Sequence, residues 1–288
     1  AVLENQHQKV RVYSPGGTGD NFFVIWKSIF KEFPLSHGLG FRLASRNITA
    51  RYRSSLLGIL WAFLPPLATS VVWIILDNQK IVQFSKTVIP YPVFVVIGTT
   101  LWQVFTASVL IPLQTVNANK PILTKINFPR EAVLVNAFYE ILFNVLIGAV
   151  IIAAVLIFSG INPGWAGLLY IPFTLQLIMI GMTISLFLLP LSLLFQDVQY
   201  VMPSALQFVM YLTPVIYPKP FFSSFEWLFK YNPVGQSIHF IRSGITGSPN
   251  DVMISDMLIT FGVVAIFFVI GMVLYRITME VLIERMGS

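Results

Sequence analysis

Cysteine is absent from the 288 residues, which excludes disulfides and thiolate chemistry and leaves the redox compartment undetermined. Charge is nearly as scarce, at 10% of residues, and the three histidines, His7, His37 and His239, are too scattered to suggest a metal site. Neither HExxH nor G-x-S-x-G occurs. The glycines of SPGGTGDN, residues 14–21, lack the Gly-Lys-Ser/Thr that would complete a phosphate-cradling loop, so no nucleotide site is visible. Ser185 and Ser192 fall in apolar stretches with no histidine or lysine at their depth, and a hydrolase would lack its base. No catalytic residue and no metal ligand can be named. A membrane-embedded glycosyl- or acyltransferase would want a carboxylate or histidine cluster near one interface, and the candidates are few.

What fills the chain is apolar: 56% of residues are hydrophobic and mean hydropathy is +0.78, the range of an integral membrane protein. A hydrocarbon core about 30 Å thick needs roughly 20 apolar residues per helical span. Six windows meet that length, about 57–76, 93–113, 132–158, 169–195, 199–217 and 256–275. Alternating ten-residue strands of the barrel kind are missing, so an all-α, six-span fold is expected. Residues 1–56 form a tail with amphipathic interface helices, and 57–288 form the transmembrane domain. The first span starts only near Leu57, behind a polar lead, and does not read as a secretory signal peptide.

Basic residues favour the cytoplasmic side of short loops. With the N-terminus inside, that side collects Lys9, Arg11, Lys27, Lys31, Arg42, Arg46, Arg51, Arg53, Lys120, Lys125, Arg130, Arg276 and Arg285, which are 13 of the 18 Lys and Arg. Both termini are therefore expected in the cytoplasm. Lys80, Lys86, Lys219, Lys230 and Arg242 fall outside. The net charge of +6 then belongs to a membrane surface and calls for no nucleic acid.

Ahead of the first span, Phe22, Ile25, Trp26, Ile29, Phe30 and Phe33 recur at helical spacing until Pro34 and the Gly38 to Gly40 region interrupt them, and Phe41, Ala44, Ile48 and Tyr52 form a second stripe beside Arg42, Arg46 and Arg53. Two interface helices are predicted, with arginines toward phosphates; the same arginines serve equally as an anchor to membrane lipids or as contacts to an anionic substrate head group. Pro65 and Pro66 are expected to break the first span in its middle. Glu140, two turns into the third, is flanked by Asn136 and Asn144 and reads either as an interhelical polar clamp with them or as a transport group. Trp61, Phe63, Trp102, Phe105, Phe208 and Tyr211 lie in or near spans.

Two connections stand out. NANKPILTKINFPRE, residues 117–131, leaves room for a helix of one or two turns between Pro121 and Pro129, exposing Ile122, Leu123 and Ile126 as an apolar knob. Between the fifth and sixth spans, Phe221, Phe222, Phe225, Leu228 and Phe229 form one patch and Asn232-Pro233 starts another short helix, which fits re-entrant helices better than a solvated loop.

RYRSSLLGILWAFLPPL, NKPILTKINFPRE, FQDVQYVMPSALQFVMYLTPVIYP and the following YNPV, in that order, resemble the transmembrane (permease) subunits of polysaccharide-exporting ABC-2 transporters, the family of O-antigen, capsule and teichoic-acid exporters. The resemblance runs from about Gly38 onward, with Asn47 standing where members often carry Asp. It implies a homodimer in a bacterial cytoplasmic (inner) membrane, served by two separate nucleotide-binding ATPase subunits that hold ATP and Mg, with no cofactor in this chain. The implied substrate is a glycan on undecaprenyl diphosphate. Arg46, Arg51 and Arg53 would lie near that diphosphate, and Trp61, Phe63, Phe105, Glu140, Phe208 and Tyr211 would line the route. Phe221, Phe222 and Phe225 would form an outer gate, and Lys120, Pro121, Ile122, Leu123, Lys125 and Ile126 would couple to the ATPase. An exporter of a drug, haem or other small amphiphile would share this architecture.

Overall fold

The computed structural model describes residues 22–53, 55–80, 89–125, 129–217, 231–246 and 254–287. Ile126, Phe221, Phe222 and Phe225 lie outside the described residues. Among those described there is no strand, only helices: α1 (Phe22–Arg53), α2 (Leu64–Asn78), α3 (Tyr91–Ala118), α4 (Lys120–Lys125), α5 (Glu131–Phe158), α6 (Tyr170–Leu194), α7 (Asp197–Leu212), α8 (Pro233–Ile245) and α9 (Ile254–Gly287), with 3₁₀ turns at Gly58–Ala62 and Trp165–Leu169. Among the described residues, four segments are long and apolar enough to cross a membrane: Tyr91–Ala118, Glu131–Phe158, Trp165–Leu194 and Leu258–Met279. The protein is thus a multi-pass helical membrane protein, since a helix satisfies its own backbone where water is missing.

The helix α3 is the axis of the bundle. It packs against α6, α5, α2, α7 and α8, and Ile97, Leu101, Phe105, Val109, Leu113 and Val116 are buried along it. Leu177, Leu186 and Leu189 of α6 and Val133, Ala137 and Ile141 of α5 complete the core. By contrast, α9 leaves Leu258, Ile259, Val263, Ile266, Phe267 and Ile270 exposed, an apolar surface suited to lipid.

Three local expectations change. First, residues 22–53 of the tail are one continuous helix through Pro34, not two pieces. It runs along α5 and buries Ile29, Ser36, Gly40 and Ala44, while Phe33 and Phe41 stay exposed. Gly40 is the crossing point: a Cβ there would lie 2.6 Å from Val135 Cβ and 2.7 Å from the Ala132 carbonyl. Contact with α5 holds together a helix that its own proline and glycines weaken.

Second, Pro65 and Pro66 begin a helix instead of breaking one. A 3₁₀ turn carries the chain to Leu64, and both prolines sit in the first turn of α2, where no intrahelical partner exists for the missing N–H groups. Their carbonyls accept from Thr69 Oγ1 at 3.0 Å and Ser70 Oγ at 2.6 Å, and Ser70 Oγ meets Thr99 Oγ1 of α3 at 2.7 Å. Third, the window at 199–217 is helical only to Leu212; Thr213 turns extended and TPVIY leaves the helix.

Candidate functional site

One face of α3 stays polar inside an apolar helix. Gln103, Thr106 and Gln114 recur at i, i+3 and i+11, which places them on one side at 3.6 residues per turn. Two clefts flank this face and share Gln103 and Thr106. The first, of about 320 Å³, runs from Arg51 and Trp61 past Pro65 and Pro66 to Asn144 of α5. The second, of about 380 Å³, lies between α2, α3 and α7 and is lined by Trp73, Trp102, Gln207 and Tyr211 together with the shared residues. Trp73 meets Tyr211 edge to face, 6.2 Å between centroids.

Of the residues expected along a route, Trp61 and Tyr211 line these clefts. Phe105 does not: it is a core residue turned away from them, its ring tilted against Trp102. Phe63 packs against the small cluster of Val96, Ile147 and Ile151, and Phe208 is exposed and lines neither cleft. Sequence reasoning missed Gln103, Thr106, Trp73 and Gln207, although amides spaced along an apolar span are a readable signal.

Glu140 lines neither cleft and has other partners than expected. Arg51 Nη2 donates to its Oε2 at 2.7 Å and Asn47 Nδ2 to its Oε1 at 3.1 Å. Asn144 donates instead to the Glu140 carbonyl at 2.8 Å, and no hydrogen bond reaches the Asn136 side chain among the described residues. The clamp therefore joins α5 to α1. The Glu140 side chain is 4% exposed and that of Arg51 47%, so the carboxylate is buried while the guanidinium borders the first cleft. Arg51 is thus a paired group, its guanidinium held by the Glu140 carboxylate. Asn47 supplies a donor that the Asp expected there could not.

A second basic stripe lies farther round α1. Arg42, Arg46 and Arg53, with Phe41, Ser45 and Thr49, line a shallow groove of about 850 Å³ built from this helix alone. Such a surface offers guanidinium donors to anionic head groups.

The short helix α4 does form, with Pro121 in its first turn, but it is not an outward knob throughout. Leu123 is 5% exposed and belongs to the main core, because α4 lies against α9. Lys120 Nζ donates to the Leu193 carbonyl at the end of α6 at 3.3 Å. Just beyond, Arg276 Nη1 pairs with Glu131 Oε1 at 2.9 Å, and Tyr275 donates to the Arg130 carbonyl at 3.1 Å. The sequence reading did not single out this ion pair, whose members are 145 residues apart. Among the described residues no three His, Asp or Glu side chains gather as metal ligands would.

The chain is 26% identical over 190 residues to the O-antigen export system permease protein RfbA of Myxococcus xanthus, covering 66% of this chain and 72% of that protein. It is 29% identical over 204 residues to the protein of the same description from Klebsiella pneumoniae, covering 68% and 75%. The family pattern of the ABC-2 type transporter matches residues 40–246, from the crossing glycine of α1 to the end of α8, and the chain belongs to that family.

Proposed function

We propose that this chain is the transmembrane subunit of an ATP-driven exporter that moves a polysaccharide across the cytoplasmic membrane. The observation that carries this reading is the second cleft, where Trp73, Trp102 and Tyr211 stand beside the Gln103 and Gln207 amides. Aromatic faces pack against the apolar faces of sugar rings and amides bond their hydroxyls. The description of the relatives as O-antigen export permeases supports the same class.

The finer reading has six crossings. The four long apolar helices are joined by α2 and α7, both termini face the cytoplasm, and the 213–217 break with α8 re-enters from the outside. Residues 1–56 form the interface region and 57–288 the translocation domain. A second copy of the chain would close the clefts of the first. The glycan would ride on undecaprenyl diphosphate, its head group met by Arg42, Arg46 and Arg53, with Arg51 at the threshold of the first cleft. Two ATPase subunits, carrying ATP and Mg, would bear on α4 at Pro121 and its neighbours. Its packing on α9, next to Glu131 and Arg276, supports transmission from α4 into α5 and α9.

The test is genetic and chemical. Deleting the gene should leave a lipid-linked glycan accumulating on the cytoplasmic side. Restoration by the wild-type chain is expected, and Trp73→Ala with Tyr211→Ala should restore less than about a tenth of export at equal protein level, two lost stacking contacts each contributing about 1 kcal/mol. Normal glycan export in the deletion, with a small amphiphile retained instead, would overturn the polysaccharide reading.

A further inference from the structure

After α7 the chain leaves the helix inside an apolar bundle, and side chains meet three of its freed carbonyls. Tyr91 donates to the Ile216 carbonyl at 3.2 Å. Tyr217 donates back to the Tyr211 carbonyl. Asn232 caps α8 by accepting from Val234 N at 3.0 Å and Gly235 N at 3.1 Å, and its Nδ2 bonds Thr213 Oγ1 at 3.0 Å. The Val215 carbonyl receives something stronger, Arg242 Nη2 at 2.8 Å.

Arg242 is 6% exposed. Its guanidinium lies 3.5 Å from the centroid of the Phe94 ring. It belongs to neither ion pair among the described residues, and its Nε has no acceptor there. Gly98 makes the arrangement possible, since a Cβ at that position would collide with both the Val215 carbonyl and Arg242 Nη2. A buried cation without a carboxylate costs stability, only part of which a ring face and one carbonyl return. A neutral donor would hold the same carbonyl more cheaply, so folding stability alone does not account for an arginine here.

We propose that Arg242 is a positioning residue: it pins the 213–217 break onto α3 at Gly98 and thereby holds Tyr211, a lining residue of the second cleft, in its place. The link is direct, because the pinned segment is bonded through Tyr217 to the Tyr211 backbone. Releasing Val215 frees the end of α7 to move away from α3 and opens the cleft at that end. The geometry stands by itself; only the export readout rests on the exporter reading.

The experiment uses the full-length chain in its assembled complex, reconstituted in proteoliposomes. Because the chain has no cysteine, Gln207→Cys supplies a single reporter thiol inside the cleft, labelled with a membrane-impermeant maleimide. Arg242→Met removes the charge at similar length, and Gly98→Ala leaves the arginine but displaces it from Val215. Both should assemble. Arg242→Met should match or exceed the parent in thermal stability, and both should raise the labelling rate of the reporter thiol about tenfold or more, the shift expected for one lost charge-assisted hydrogen bond. Arg242→Lys, which keeps a charged donor, should fall between. A parental labelling rate in either variant, or loss of assembly in both, overturns the proposal; if one alone fails to assemble, the other decides. Raised labelling, with no polysaccharide export by the wild-type chain that keeps Gln207, would sustain the latch and refute the exporter reading.

Discussion

Arg51→Ala should destabilise the protein far more than Glu140→Ala, although the two residues form one ion pair. The pair is 2.7 Å long and asymmetric, with the carboxylate 4% and the guanidinium 47% exposed. Removing Arg51 strands a buried charge on a single Asn47 bond. Breaking a buried pair costs about 3–5 kcal/mol, and water entering by the half-open arginine side lowers this to about 2–3 kcal/mol. Removing Glu140 lets Arg51 turn to solvent, which costs about 1 kcal/mol. The double variant, with no stranded charge, should resemble Glu140→Ala, a coupling of about 2 kcal/mol. At about 2–4 °C per kcal/mol, the apparent Tm in lipid nanodiscs should fall by roughly 5–10 °C for Arg51→Ala and by roughly 2–4 °C for the other two. Equal losses for the single variants, or a double variant as unstable as Arg51→Ala, would refute the assignment of the buried charge.

Gly40→Leu should lift α1 from α5, because the Cβ would meet Val135 and the Ala132 carbonyl at under 3 Å; overpacking of about 1–3 kcal/mol should appear as faster proteolysis within residues 22–53, and an unchanged cleavage rate would mean that the crossing is not tight. Leu123→Asp should lower the yield of folded chain even when expressed without any ATPase, since Leu123 is a core residue. Size-exclusion recovery equal to the wild type would restore it to the outer surface.

Much of the architecture is a local property, and so the sequence states it. The length of an apolar run against the thickness of a bilayer does not depend on neighbours, and the spans at Tyr91–Ala118, Glu131–Phe158, Trp165–Leu194 and Leu258–Met279 fall where the composition puts them. Pro121 marks the start of α4 for an equally local reason, its missing N–H being free of cost in a first turn. Pro65 and Pro66 obey the same rule, but only the 3₁₀ turn before them shows that they open a helix.

What faces what is decided by the tertiary structure. In a soluble helix polarity marks the outer side, whereas in lipid both the buried and the exposed face are apolar. Periodicity therefore could not say that Phe105 turns into the core while Tyr211 turns into a cleft, or that Leu123 points inward. Partners are equally out of reach, because 89 residues separate Arg51 from Glu140 and 27 separate Arg242 from Val215. A buried charge in a span announces that a partner must exist; the crossing of α1 on α5, set by Gly40, determines which residue it is.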